Sequence, residues 1–340
     1  MTPDRSVATF AVLFALTAPL FLSGYWVGTL LTDVLLLGVV ASSLIFLAAY
    51  GGMVSLGQVA LFGIAGFVVG NATTNGNTKG LNLGWNPWWG VVLGIAIAVF
   101  AGLLFGALAS RSVGIYFLMI TLTYGVIANL SFGQVTDVSG FGGISGIPTP
   151  SEIGVASAHQ NRLYYVALGT AIAVYALLRY IIRTPFGLTL QGLRDDPVRM
   201  SSLGYNVALH RTIAFGFSAF IAGLGGVLFV WWNGHIDPAS ISLTSTINVL
   251  VIAVVGGLYR LEGAWVGALV FVILNNYSQQ ISFIGPRFAS LIGVIFLVIV
   301  LISPGGLMGL WESAVSHMSG RRGGPADRNS IGPPQPEPTV

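Results

Sequence analysis

The chain has 340 residues, of which 54% are hydrophobic and only 7% charged, with a mean hydropathy of +0.84. That balance excludes a soluble domain, and the repeated apolar runs approach the length that crosses ~30 Å of hydrocarbon, as in a polytopic membrane protein. The net charge of +3 is scattered over the ends of apolar runs, which excludes nucleic acid as a partner, and the lack of cysteine excludes disulfides, thiolate metal sites and cysteine nucleophiles.

In chain order, apolar runs predict ten spans at about 7–23, 28–49, 56–72, 88–109, 113–132, 163–182, 209–232, 245–259, 263–282 and 288–303. The fold class is therefore all-α, a transmembrane helix bundle with some short or broken Gly-rich helices. Residues 1–27 form an N-terminal segment whose uncharged stretch after Arg5 looks like a signal sequence. No small-residue cleavage site leads from it into a soluble domain, so it is read as a retained first span. Residues 28–311 form the transmembrane domain. Within it, 56–72 crowds Gly57, Gly63, Gly66 and Gly70 around Gln58, and 245–259 closes on Gly256-Gly257. Both are expected to be broken or re-entrant, which is tolerated only where protein or a watery cavity covers the backbone. The segments Asn71–Trp89 and 133–162 are predicted to be connections at the external face, with Trp85, Trp88, Trp89, Tyr164 and Tyr165 as interface anchors. Glycines 216, 223, 225 and 226 are expected to serve close helix packing. Residues 312–340, rich in Gly, Pro, Arg and Ser, are expected to be a disordered tail.

With a cytoplasmic N-terminus, ten spans place Arg5, Arg111, Arg179, Arg183, Arg194, Arg199, Arg211, Arg260, Arg321, Arg322 and Arg328 inside, and only Lys79, Arg162 and Arg287 outside. Dropping one span would invert everything after it and destroy this asymmetry, so both termini are expected to be cytoplasmic. The same count puts the charged segment 183–211 in the cytoplasm. It carries Arg194, Asp195, Asp196 and Arg199 before Gly204 and Asn206. Pro197 can open a short helix there, the acids favour its N-terminus, and Gly204 can end it in a left-handed turn.

The chemistry is mostly defined by what is missing. The single lysine, Lys79, is not in a G-x-x-x-x-G-K-[ST] loop, so the chain has no ATPase site of its own. His159, His210, His235 and His317 have no metal-ligand spacing. Asp33 is the one carboxylate near the start of a span, and is read as reaching the external headgroups. A lipid-acting enzyme would have to use Asp33, or His235 with Asp237, and no nucleophile is recognisable. The spans carry neutral polar groups instead: Gln58, Thr121, Thr123, Asn129, Asn248, Asn275 and Asn276. Each can bond helices together, and as a set some are expected to line a pathway for a small polar solute. A stand-alone channel is compatible with such spans.

Several segments together resemble one family, the inner-membrane permease subunits of ABC importers for branched-chain amino acids. The likeness runs from about Leu35 to Trp311. It is carried by Tyr50-Gly-Gly-Met-Val-Ser-Leu-Gly-Gln58 with Phe62-Gly-Ile64, Gly114-Ile-Tyr-Phe117 with Thr121-Leu122, and Gly146-Ile-Pro148. Thr184-Pro-Phe-Gly187, Arg194-Asp-Asp196, Leu203-Gly204, Asn206, Val255-Gly-Gly257 and Ser303-Pro-Gly-Gly-Leu307 complete it. The resemblance implies a second homologous permease subunit, two cytoplasmic ATPases that use ATP and Mg, a periplasmic or external binding protein, and a bacterial inner membrane. No cofactor is implied for this chain itself. It also implies that the segment from Arg194 to Asn206 couples to the ATPase. Pro197, Arg199 and Met200 stand where the family has small or acidic residues. Val138-Ser-Gly140 and Phe141-Gly-Gly143 replace the usual Thr-Gly-Gly, which leaves urea, short-chain amides or sugars open beside leucine, isoleucine and valine.

Overall fold

The computed structural model describes residues 26–76, 80–112, 114–154, 160–280, 288–302 and 305–310, with the isolated positions 15, 17 and 19. Apart from those three positions, the predicted first span lies outside the described residues, as does the tail 312–340. Helix α1 (Thr32–Gly51) continues from a π-helical turn at Trp26–Leu31, and is followed by α2 (Gln58–Thr73), α3 (Pro87–Ala109) and α4 (Ile115–Gln134). Then come α5 (Gln160–Arg183), α6 (Pro185–Asp195), α7 (Pro197–Ser202) and α8 (Val207–Asn233). The described part closes with α9 (Leu243–Gly256), α10 (Gly263–Gln280) and α11 (Phe288–Ile302). A helix stands at every predicted span from the second onward, and the all-α bundle is what the periodicity and hydropathy require.

Among the described residues, five helical stretches are long and apolar enough to cross a membrane: Trp26–Gly51, Pro87–Ala109, Ile115–Gln134, Asn161–Arg183 and Val207–Asn233. The Gly-rich α2 and the apolar α9 are shorter, about 24 and 21 Å at 1.5 Å per residue, and cannot reach across the hydrocarbon alone. Helix α2 runs through the centre of the bundle, with every residue except Ile64 and Val68 buried. Helix α1 is buried without interruption from Val39 to Ala49. Helices apolar on all sides belong in an interior, and α3, α4 and α5 form the rim around them.

Small residues set how closely the helices approach. The buried residues of α3 are Gly90, Gly94, Ala98, Gly102, Gly106 and Ala109, the first five recurring every four residues on one face. A Cβ at Gly94 would come within 2.9 Å of the Ala65 carbonyl oxygen, and one at Gly106 within 2.8 Å of the Phe215 Cβ. The stripe therefore seats α3 on α2 at one end and on α8 at the other, while Trp89, Val92, Phe100, Leu104 and Leu108 face outward. Of the glycines predicted to pack on α8, Gly216 abuts Leu103, Gly223 abuts Ala98, Gly225 meets Val40, and Gly226 lies directly on the Phe62 backbone.

The connections at the two ends differ. Beyond α8 the chain forms a two-residue antiparallel ladder, with Ile144 opposite Ile236 and Ser145 opposite His235. A 3-10 turn at Pro238–Ile241 then leads into α9, and Ile241 is wedged against Gly63 in α2. This irregular backbone is covered by α2 and α4. At the opposite end lie Arg111, Arg179, Arg183, Arg194, Arg199, Arg211 and Arg260, with Arg162 alone among the described basic residues at the ladder end.

Candidate functional site

The charged segment folds as two helices joined at Asp196. Thr184 caps α6, its hydroxyl accepting from the Gly187 N–H, with Pro185 in the first turn. Asp196 caps α7 through a bond from the Arg199 N–H at 2.9 Å, with Pro197 at the first helical position. Asn206 caps α8 by accepting from the Leu209 N–H at 3.0 Å. Gly204 has φ +90° and nothing within 4 Å of where a Cβ would sit, so it is required for the turn and not for packing. Sequence reasoning anticipated α7 and its glycine; it did not foresee α6, whose signal is the Thr184-Pro185 cap.

The polar residues of this segment divide by direction. Arg194 turns inward: its guanidinium donates to the Ala49 carbonyl at the end of α1 and pairs with Asp195 at 2.8 Å. The Arg194 stem crosses Gly52, where a Cβ would lie 2.6 Å from the Arg194 Cγ. A cation at the last carbonyls of α1 also meets the negative end of that helix. Hydrogen bonding from Arg194 holds the Asp195 carboxyl below the usual carboxylate range. Helix α7 turns outward and has no buried residue, with Val198 75% and Leu203 66% exposed. Arg199 and Asp196 are exposed beside them.

The candidate pathway residues do not form one group. Gln58 is fully buried, its Oε1 lying 2.9 Å from the Ser218 hydroxyl and 3.2 Å from the Ser43 hydroxyl, while its Nε2 donates to Ser55 at 3.3 Å. Thr121 is also buried and accepts from the Leu56 N–H at 3.1 Å. These two hold the irregular chain between α1 and α2. Thr123 is exposed and bonds only to the Met119 carbonyl of its own helix. Asn129 donates to the Pro238 carbonyl at 2.6 Å and faces a cavity of about 180 Å³ between α4 and the start of α9, with Gly125, Val126, Leu243 and Thr246 in its walls. Asn248, Asn275 and Asn276 are half-buried on α9 and α10.

Two features weighed in the sequence have structural settings. Asp33 is half-buried in the first turn of α1 and makes no ion pair among the described residues. His235 bonds to Ser145 through Nδ1 at 2.8 Å, and Asp237 caps the 3-10 turn through the Ser240 N–H and hydroxyl. Asp237 thus secures the turn into α9. No group of His, Asp and Glu able to hold a metal occurs among the described residues.

Fold and site define a class: a multi-pass helical membrane protein with a capped polar island at one end and a small cavity beside a short apolar helix. Residues 27–302 match the family model described as branched-chain amino acid transport system / permease component, and the chain belongs to that family. Over 66% of its length it is 25% identical to the high-affinity branched-chain amino acid transport system permease protein LivM of Salmonella typhimurium, covering 58% of that protein. Against LivM of Escherichia coli it is 26% identical over 62% of its length, covering 55% of that protein. LivH of Escherichia coli, a permease protein of the same named system, is 26% identical over 41% of the chain and is covered to 45%. The chain therefore spans about half the length of the curated relatives it matches. No solved structure matches it.

Proposed function

We propose that this chain is a permease subunit of an ATP-driven importer for branched-chain amino acids in a bacterial inner membrane. The observation that carries the reading is the island: α7 has no buried residue and presents Val198, Arg199, Ser201 and Ser202 outward, while α6 behind it is fastened to α1 through Arg194 and Ala49. A chain with no phosphate loop must draw its energy from other subunits, and a short rigid helix on a secured base is suited to receive a push. Two ATPases using ATP and Mg engage α7 from the cytoplasm, a second homologous permease completes the pathway, and a binding protein delivers substrate at the ladder end. Asn129 and Thr246, in otherwise apolar walls, suit a solute with an aliphatic body and a polar head.

The test is reconstitution of the chain with the second permease, the ATPases and the binding protein in proteoliposomes. ATP-dependent leucine uptake that disappears without the ATPases is expected. Reversing both acids, D195K with D196K, is expected to leave assembly of the two permeases intact and to uncouple ATP hydrolysis from uptake. Passage of small neutral solutes by the chain alone, without nucleotide, would establish a channel instead.

A further inference from the structure

Tyr175 and Arg179 on α5 meet Glu262 in the turn between α9 and α10. The Tyr175 hydroxyl donates to Glu262 Oε1 at 2.6 Å, Arg179 Nη2 lies 3.4 Å from the same oxygen, and Arg179 Nε donates to the Tyr175 oxygen at 3.1 Å. The Arg179 guanidinium also lies 5.5 Å from the Tyr175 ring centroid. The three groups share a single oxygen where α5 meets the start of α10, and the Tyr175 ring also packs edge-on against Trp265 at 5.8 Å between centroids.

What lies on each side of this junction gives it meaning. On one side, α5 runs into α6 through a locked elbow: Gln191 reaches back to the Ile182 carbonyl at 3.3 Å, and a Cβ at Gly187 would come within 2.6 Å of the Ile182 Cα. The island and the end of α5 must move together. On the other side, backbone contacts between glycines join the turn to α9. A Cβ at Gly263 would sit 2.7 Å from the Gly257 carbonyl oxygen and 2.9 Å from the Gly256 carbonyl carbon. The turn is closed by Arg260 N–H to Gly257 and Gly263 N–H to Arg260, both at 3.1 Å. Helix α9 is thus fixed to Glu262 at one end and bears Leu243 and Thr246 on the cavity at the other.

We infer that the Tyr175–Arg179–Glu262 cluster is a positioning clamp that carries movement of the α6–α7 island to α9, and so to the cavity wall opposite Asn129. The inference rests on the importer reading above. The pair is partly solvent-exposed, with side chains 45% and 32% accessible, so its removal costs little folding stability and its role is separable from structure.

The experiment uses the reconstituted four-component importer and reads substrate taken up per ATP hydrolysed. Glu262→Arg and Arg179→Glu are each expected to hydrolyse ATP at the wild-type rate but to lower that ratio about tenfold, the upper range for a coupling contact. The exchanged pair, R179E with E262R, is expected to recover most of it. Single variants with the wild-type ratio would overturn the clamp. So would a parallel loss of uptake and hydrolysis, or an exchanged pair no better than the singles. Absence of ATP-driven uptake by the wild-type complex would instead refute the importer reading.

Discussion

Gln58 and Thr121 sit where α1, α2, α4 and α8 converge, and each satisfies groups that have no water to turn to. Replacing Thr121 by Val would remove the acceptor of the buried Leu56 N–H, at a cost of about 1–3 kcal/mol. Thr123→Val removes only a bond within its own exposed turn and should change stability by less than about 0.5 kcal/mol. Thermal unfolding in detergent distinguishes the two, and equal effects would show that Thr121 does not hold the Met53–Gly57 chain. Gln58→Leu should cost only about 1 kcal/mol, since interhelical bonds in lipid are individually modest and the Ser43 and Ser218 hydroxyls keep the Val40 and Ser43 carbonyls as acceptors. Asp195 sets a different expectation. Its folded carboxyl lies below the ordinary value because Arg194 bonds to it, so the pair is complete above about pH 4 and is lost only as pH falls through the lowered value. Coupling through the island should therefore not titrate with this residue between pH 5 and 8, which uptake per ATP across that range would check.

The same reasoning extends to α3, whose packing rests on one face of small residues. Gly102→Leu would drive a side chain into Ala219 and Phe215, and is expected to reduce the folded yield sharply, overpacking alone costing about 1–3 kcal/mol or more. Gly169→Leu on α5, where nothing lies within 4 Å, should be neutral; equal yields of the two variants would count against helix contact through the stripe. The spacing Gly90, Gly94, Ala98, Gly102, Gly106 is fully visible in the sequence, yet the span reads as uniformly apolar because hydropathy averages away a one-residue-in-four signal. The short α2 and α9 were legible because the glycines of α2, the Gly256-Gly257 end of α9 and the two lengths are local properties. The ladder of Ile144–Ser145 with His235–Ile236 was not, since it joins residues about ninety positions apart without any pattern of its own. Tyr175, Arg179 and Glu262 were hidden for the same reason: a tyrosine, an arginine and a glutamate near span ends are ordinary until packing brings them to one oxygen.

Across the whole molecule, the importer proposed above would assign receiving a push and transmitting it to different residues of one island. Val198 of α7 and Leu203 at its C-terminal end are exposed, whereas Arg194 and Leu190 face the end of α1. Val198→Asp should therefore weaken binding of the ATPase subunits, because a charge desolvated in an apolar contact is costly. Arg194→Ala should leave that contact intact, since it alters no residue of α7, but should release α6 from the Ala49 carbonyl. Its expected signature is normal ATPase co-purification with reduced uptake per ATP. Loss of co-purification in both variants would mean that the Arg194 bond serves to shape α7. Normal uptake in R194A would mean that α6 is held firmly enough by the buried Leu190 and Leu193 alone, and that α1 receives no movement from the island through this bond.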